Sequence, residues 1–348
     1  MRHDVTIIDI ARKAGVSTAT VSRVLNGTGQ VQEKTRLKVE RAVREMNYRP
    51  NPMAKNLSSE HSNVIGMLVS DIRNPFYANI FVECEKYANE KGYSLILCDY
   101  GYSDKIELQY YSLLLAQRVC AIIHIGGTID RRYPNADFMS RLAEVSEKIP
   151  VVTSSKMDIP NCRCVKLDNY RITKAAMEYL LSLGHERIAM VGGRDGVLST
   201  CERRQCYQEI RKKEKLKYNC IAKSDTYDIQ GGYLAGREAL QKDILPTAMI
   251  AINDFLAIGM VQAIQERGLK IGKDISVVSF DNTYIAEMLE PELTSVGNDY
   301  YAFSRAVIDV AISMKKGRNV QDVRELPICM DIRSSCGKAV GKQREKTF

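Results

Sequence analysis

Two different spacings of apolar residues divide the chain. Near the front they recur at helical intervals. Thr6-Ile7-Ile8-Asp9 has the spacing of a capping box, and Ile7, Ile10, Ala11 and Ala14 then fall at i, i+3, i+4 and i+7 of one helix face. Gly15 is placed to end that helix in the left-handed conformation, and Val16 to fill a corner. Ser17 can cap a second helix that turns Val21, Val24 and Leu25 back onto the first and leaves Thr18, Ala19, Thr20 and Arg23 near its exposed start. A third helix is predicted over 31–46, with Val39, Ala42, Val43 and Met46 on one face.

From Asn63 onward the pattern changes to short apolar runs alternating with amphipathic stretches. Strands are predicted at 64–69, 93–98, 120–125, 150–153, 165–167, 188–191, 220–223, 247–252, 276–280 and 293–297. Helices are predicted between them, at 76–91, 104–117, 136–148, 170–183, 200–213, 229–240 and 254–267, with one more at 300–314. Such alternation implies parallel sheets covered by helices on both faces, and so many strands imply two lobes.

Composition narrows the class. The chain has 348 residues, more than one hydrophobic core usually supports, with 45% hydrophobic and 26% charged residues. No apolar run approaches a membrane span and Met1 to Val5 does not open a signal peptide, so a cytoplasmic protein without membrane contact is expected. Ten scattered cysteines and four unclustered histidines offer no metal site. Cys162-x-Cys164 is a weak pair, and reduced thiols are expected, with no cofactor. Net charge is +8. Residues 1–61 hold 11 Lys and Arg against 6 Asp and Glu, so the basic excess is concentrated at the front, where a phosphate-facing module needs it. Among the basic residues of the third helix, Arg36, Lys38, Arg41 and Arg44, solvation accounts for most.

Two helices joined at a glycine turn form the helix-turn-helix layout, in which the start of the second helix meets base edges in the major groove. Small residues at 18 and 19 allow close approach, and Arg23 is suited to a guanine edge. The alternative at this point is a helix pair that touches no DNA. The stretch from Thr6 through Asn26-Gly27 resembles the lactose-repressor/galactose-repressor family of bacterial transcription regulators, and the resemblance continues over nearly the whole chain.

That resemblance implies a small all-α helix-turn-helix headpiece (1–50), a hinge helix and linker (51–62), and a two-lobed α/β body like periplasmic binding proteins (63–340), followed by a basic tail (341–348). The amino-terminal lobe would comprise about 63–167 plus 293–324, and the carboxy-terminal lobe about 168–292 plus 325–340. It implies DNA contacts from Thr6, Ser17, Thr18, Ala19, Thr20, Arg23 and Asn26. In the segment Asn51 to Leu57, Asn51 can cap and Pro52 suits a first helical position, but so short a helix forms only when held. The family places a hinge helix here, with Ala54 allowing close approach and Leu57 as a wedge between base pairs in the minor groove. An ordinary linker is the alternative. The tail lacks apolar heptads, so a homodimer on a near-palindromic double-stranded operator is the economical assembly.

In open parallel sheets ligands bind beyond the carboxyl ends of strands. Those ends carry Asp71, Asn74, Phe76 and Tyr77, then Asp99 and Tyr100, Gly126-Gly127, Gly192-Gly193-Arg194-Asp195, Asn253-Asp254 and Asp281-Asn282. Carboxylates, amides and aromatics together suit a polyhydroxylated ligand, although Asn and Asp there also cap helices. The resemblance implies stacking from Phe76 and Tyr77, an effector clamp in Arg203, polar contacts from Asn253 and Asp281, and an aromatic lid in Tyr227. It makes His185, in Gly184-His185-Glu186-Arg187-Ile188, a structural residue. The sequence departs from the family at Cys206 and Ser279, where glycine is usual, at Ser154-Ser155-Lys156, where Asp-Arg is common, and at Ile125. Lys156, Arg194, Arg203 and Arg204 together would favour a phosphorylated or acidic ligand.

The expected function is a ligand-responsive, sequence-specific DNA-binding regulator, a repressor of a carbohydrate-utilisation operon released by a sugar or sugar phosphate. A corepressor- or partner-protein-activated regulator, and a sugar-binding module without DNA activity, are the alternatives. No nucleophile elbow, P-loop or dinucleotide fingerprint points to an enzyme; Gly192 to Gly196 is a weak match to a phosphate loop.

Overall fold

The computed structural model describes residues 5–26, 29–48 and 62–339. The chain divides into two compact units, residues 1–62 and 63–348. The expected hinge segment, with Ala54 and Leu57, and the basic tail lie outside the described residues.

The first unit holds α1 (Ile7–Ala14), α2 (Thr18–Asn26) and α3 (Glu33–Glu45). The capping box forms: the Thr6 backbone N–H donates to Asp9 Oδ2 (2.9 Å), and the Asp9 N–H to Thr6 Oγ1 (3.4 Å). Gly15 ends α1 at φ 65°, a left-handed conformation that a side chain would strain. Ile10, Ala11, Ala14, Val21, Val39 and Ala42 close a small core among the three helices.

The second unit contains two sheets. The first runs β1 (Val64–Val69), β2 (Ser94–Asp99), β3 (Ala121–Ile125), β4 (Val151–Thr153) and β5 (Cys162–Cys164), all parallel, in the order β2-β1-β3-β4-β5. Its helices are α4 (Pro75–Glu90), α5 (Asp104–Ala116) and α6 (Ala136–Ser146), with a 3-10 turn at Gly127–Asp130. The second sheet has the order β11-β10-β9-β8-β6-β7. Its strands are β6 (Ile188–Val191), β7 (Cys220–Ala222), β8 (Ala248–Ala251), β9 (Ser276–Phe280), β10 (Thr294–Asn298) and β11 (Ile328–Asp331). Helices α7 (Asn169–Ser182), α8 (Leu198–Lys213), α9 (Ile229–Leu240), α10 (Asp254–Glu266) and α11 (Ile285–Met288) belong with it, while α12 (Tyr300–Lys315) packs on α4, β3 and β4 of the first lobe. The central strands β1, β3, β6, β8 and β9 are almost wholly buried, as sheets covered on both faces require.

Three expectations change. The strand expected at 165–167 is displaced: β5 is Cys162–Cys164, and Val165 already leaves the sheet, keeping one bridge to Val323 on its way to the other lobe. The lobe boundary expected at 293 falls after Asn298, because β10 pairs with β9 (Thr294↔Val278) inside the second sheet. β11, not anticipated, adds one antiparallel edge strand to β10.

His185 is structural in its bonding. Its buried ring joins Thr247 Oγ1 and the Gly337 carbonyl, each at 3.0 Å, and burial lowers its pKa. Cys206 is fully buried in the second lobe's core. Ser279, where a glycine was expected, donates to the buried Asp254 carboxylate. Asp254 also accepts from Ser295 Oγ (2.7 Å) and from the Thr283 N–H and hydroxyl.

Candidate functional site: an interlobe cleft and a recognition helix

Each sheet reverses its strand order once, between β1 and β3 in the first lobe and between β6 and β8 in the second. Ligands bind at such switch points, beyond the carboxyl ends of the strands. Both reversals open onto one cavity of about 370 Å³, between the lobes of the second unit. This is the size of a small-molecule site.

Phe76, Tyr77, Arg203, Tyr227, Asn253 and Asp281 all line this cavity. Asn74 caps α4 by accepting from the Phe76 N–H (3.1 Å), which sets the two aromatics at the helix start. Their rings meet edge to face at 5.0 Å and form an apolar wall. Opposite, Arg203 donates to Asn169 Oδ1 (3.0 Å), to the Ile252 carbonyl and to Asp281 Oδ1 (3.5 Å), and lies over the Phe280 ring at 4.9 Å. Asn253 spends its oxygen on capping α10 (Leu256 N–H, 2.7 Å), and its amide reaches the Tyr227 carbonyl at 3.4 Å. Tyr227, the aromatic expected as a lid, lines the cavity, its hydroxyl meeting Thr200 Oγ1 (2.9 Å) and accepting from the Arg194 N–H.

Asp281 is both strained and desolvated. Its backbone sits at φ 91°, outside ordinary side-chain space. Burial pushes its carboxyl up to about 7 although Arg203 opposes the rise. A strained, desolvated acid is held at a cost in stability. Because the folded pKa is raised, the folded state holds the proton more tightly. The associated stability is present below about pH 4 and lost as pH rises through about 7. Asp281→Asn is therefore expected to unfold like the parent at pH 4 and to be more stable, by about 1–4 kcal/mol, at pH 8; denaturant melts at the two pH values check this.

The structure adds residues that strand-end reasoning missed. Asp130, whose carboxyl burial raises to about 6, accepts from the Ser199 N–H (3.2 Å) and Ser199 Oγ (2.6 Å) across the cleft. The Arg132 N–H donates to the Gly196 carbonyl (2.7 Å), and Arg131 forms an antiparallel bridge with Val197. Asn169, Tyr102 and Arg131 also line the cavity. The one signal for Asp130 was Gly126-Gly127, both at positive φ, which turns the chain back toward the cleft. Ser154 and Ser155, in place of the expected Asp-Arg, bond the Gly126 N–H (3.3 Å) and Asp130 (3.3 Å).

Of the four cations expected together, Arg194 and Arg203 line the cavity, while Lys156 and Arg204 do not. Lys156 pairs with Asp158 and lines a separate outer groove. Arg204 is taken up by Asp195 and the Gly192 and Gly193 carbonyls, and Arg203 by Asp281. The cavity's charged lining is four aspartates (104, 130, 195, 281) against three arginines (131, 194, 203).

In the first unit, Thr18, Ala19 and Arg23 are exposed on α2, where a recognition helix presents them. Ser17 caps this helix, taking the Thr20 N–H (3.2 Å) and meeting Thr20 Oγ1 (2.9 Å). Thr6 is likewise committed to its capping box. Asn26 ends α2; its side chain is outside the described residues.

A helix-turn-helix unit joined to a two-lobed body with a small-molecule cleft defines a ligand-responsive DNA-binding regulator. Residues 6–51 match the model for bacterial regulatory proteins of the lacI family, and residues 177–336 that of a periplasmic binding protein-like domain. The chain is 36% identical over 299 residues to the HTH-type transcriptional regulator DegA of Bacillus subtilis (strain 168), covering 84% of this chain and 86% of that protein. It is 30% identical to the Catabolite control protein A of Priestia megaterium (95% and 99% covered). The structure superposes on the Lac repressor dimer bound to operator and an anti-inducer with a TM-score of 0.85 at 28% identity, covering 96% of this chain and all of that one. The chain belongs to the LacI family of transcriptional regulators. Among the described residues no helix is long and apolar enough to cross a membrane.

Proposed function

We propose that this chain is a dimeric cytoplasmic repressor of a carbohydrate-utilisation operon, acting by binding and not by turnover, and released by a neutral polyhydroxylated ligand. The observation that carries the ligand class is the cleft itself: an aromatic wall faces Arg203, Asn253 and Asp281, and its arginines are offset by carboxylates. Aromatic faces cover the apolar side of a sugar ring, and the polar groups opposite bond its hydroxyls. The cavity's four aspartates outnumber its three arginines, which works against a phosphate ester.

Ligand bound between the lobes biases their closure, and closure shifts the amino-terminal lobes of the dimer and so the spacing of the headpieces on a near-palindromic operator. Thr18, Ala19 and Arg23 read bases, Ser17, Thr20 and Thr6 hold the helices, Asn26 flanks the recognition helix, and Ala54 and Leu57 form the minor-groove wedge. Only a ligand that distinguishes the two lobe arrangements shifts the equilibrium. The test is thermal unfolding of the purified chain against neutral sugars, nucleosides and their phosphate esters. A neutral sugar should raise the Tm, by about 2.7 kcal/mol of stability at a hundredfold excess over Kd. Stabilisation by phosphate esters alone would overturn the neutral-ligand reading.

A further inference from the structure

Beneath the cleft floor of the first lobe lies a buried polar cluster that the ligand reading does not use. His124, the penultimate residue of β3, is fully buried. Its Nδ1 meets the Tyr111 hydroxyl at 2.7 Å, and its Nε2 meets Glu107 Oε1 at 3.1 Å and the Tyr100 hydroxyl at 3.2 Å. Glu107, on α5, is 1% exposed. It accepts twice more, from the Thr128 N–H (3.1 Å) and from Thr128 Oγ1 (2.5 Å). A buried carboxylate is tolerated only when such donors surround it. One turn earlier on the same helix, Asp104 accepts from both terminal guanidinium nitrogens of Arg131, Nη1 at 2.8 Å and Nη2 at 2.5 Å.

Thr128 and Arg131 belong to one short arm, residues 126–132. Its far side reaches the second lobe through Asp130 to Ser199, Arg131 to Val197 and Arg132 to Gly196. The arm also has no room to repack inward: a Cβ at Gly127 would lie 1.9 Å from the Tyr100 hydroxyl oxygen and 3.0 Å from Glu107 Oε1. The near side of the interlobe bridge is thus anchored from below by two carboxylates, three residues apart on α5.

We propose that Glu107, oriented by His124, is a positioning residue for the interlobe bridge. It holds Thr128 so that Asp130 and Arg132 meet the second lobe, and in this way it sets how readily the cleft closes. The inference builds on the cleft reading for its functional meaning, but the bridge can be measured without any ligand. Of the two anchors, Glu107 carries more. The Asp104–Arg131 pair is partly solvent-exposed, at 44% and 39%, and such pairs contribute little.

The test is residue-resolved amide hydrogen exchange on the full chain with no ligand added, comparing the parent with Glu107→Gln, Thr128→Val, their double variant and Asp104→Asn. In the parent, the Ser199 and Arg132 amides, which close the bridge, should be protected. In Glu107→Gln and Thr128→Val they should exchange about tenfold faster, while the β1 amides of Ile65 to Val69 keep their parental rates. The double variant should be no faster than Glu107→Gln, because both remove one interaction. Asp104→Asn should change little. Thr128→Val keeps the test open if Glu107→Gln fails to fold. Unprotected bridge amides in the parent, parental rates in Thr128→Val, or acceleration spread equally into β1 would each overturn the proposal. A body that binds no sugar yet shows the expected pattern would sink the ligand reading and leave this inference standing.

Discussion

Arg203→Met should leave operator binding intact and abolish the response to ligand. The side chain is 11% exposed and reaches Asn169, the Ile252 carbonyl and Asp281 at once. Methionine fills much of the same space over Phe280 but donates nothing. Two charge-assisted bonds to ligand hydroxyls, each worth about 1.5–3 kcal/mol, would be lost, so ligand affinity should fall more than a hundredfold. Stability should change with a definite sign. Without the guanidinium that opposes it, the rise of the Asp281 pKa grows, so the variant should lose stability against the parent as pH goes from 6 to 8. Calorimetric titration with a stabilising sugar and melts across that range would check both parts. Retained affinity would remove Arg203 from the ligand site.

Arg23→Ala should produce the mirror image: ligand binding unchanged and operator binding lost. Arg23 is exposed on the recognition helix and is absent from the headpiece core formed around Ile10, Val21 and Val39. Its removal should therefore leave the headpiece folded. A bidentate arginine–guanine contact contributes about 1–3 kcal/mol of discrimination. A dimer uses it twice, so operator affinity should drop roughly thirtyfold to twenty-thousandfold, with specificity relaxed at one symmetric position of each half-site. Fluorescence anisotropy on the parent operator and on half-site variants would show it. A uniform loss across all sequences would make Arg23 a phosphate contact instead.

The two variants probe parts of the molecule that were unequally legible in the sequence. The headpiece could be read almost residue by residue, because caps and helical periodicity are local: Thr6 with Asp9, Gly15 at positive φ and the buried Ile10, Ala11 and Ala14 lie where the spacing places them. The two parallel sheets were legible from alternation, since strands buried on both faces are nearly continuous apolar runs. What failed was long-range. β10 holds to the second sheet through pairing with β9, and nothing within residues 293–298 announces which sheet it joins. β11 is a four-residue edge strand of mixed character.

The cleft shows the same division. Its strand-end residues were recoverable because topology fixes where the ends of parallel strands gather. Asp130 and Ser199 lie 69 residues apart in chain and meet only because two lobes face each other. The expected gathering of four cations is reduced to Arg194 and Arg203 for a related reason. Sequence lists cations without their partners, and Lys156 and Arg204 are neutralised by Asp158 and Asp195. Ser279, a departure from the family pattern, is explained once Asp254 is seen beneath it.

The central claim is that a recognition helix and a ligand cleft act as one device. The measurement that tests it most directly is selection of DNA by the purified chain from a random pool, followed by titration of the selected fragment with the sugar that stabilises the body. The expected result is enrichment of a palindrome with a fixed centre, and a ligand-dependent change in its affinity that Arg203→Met eliminates. A palindrome whose affinity does not move with any stabilising ligand, or a pool with no enriched sequence, would contradict it.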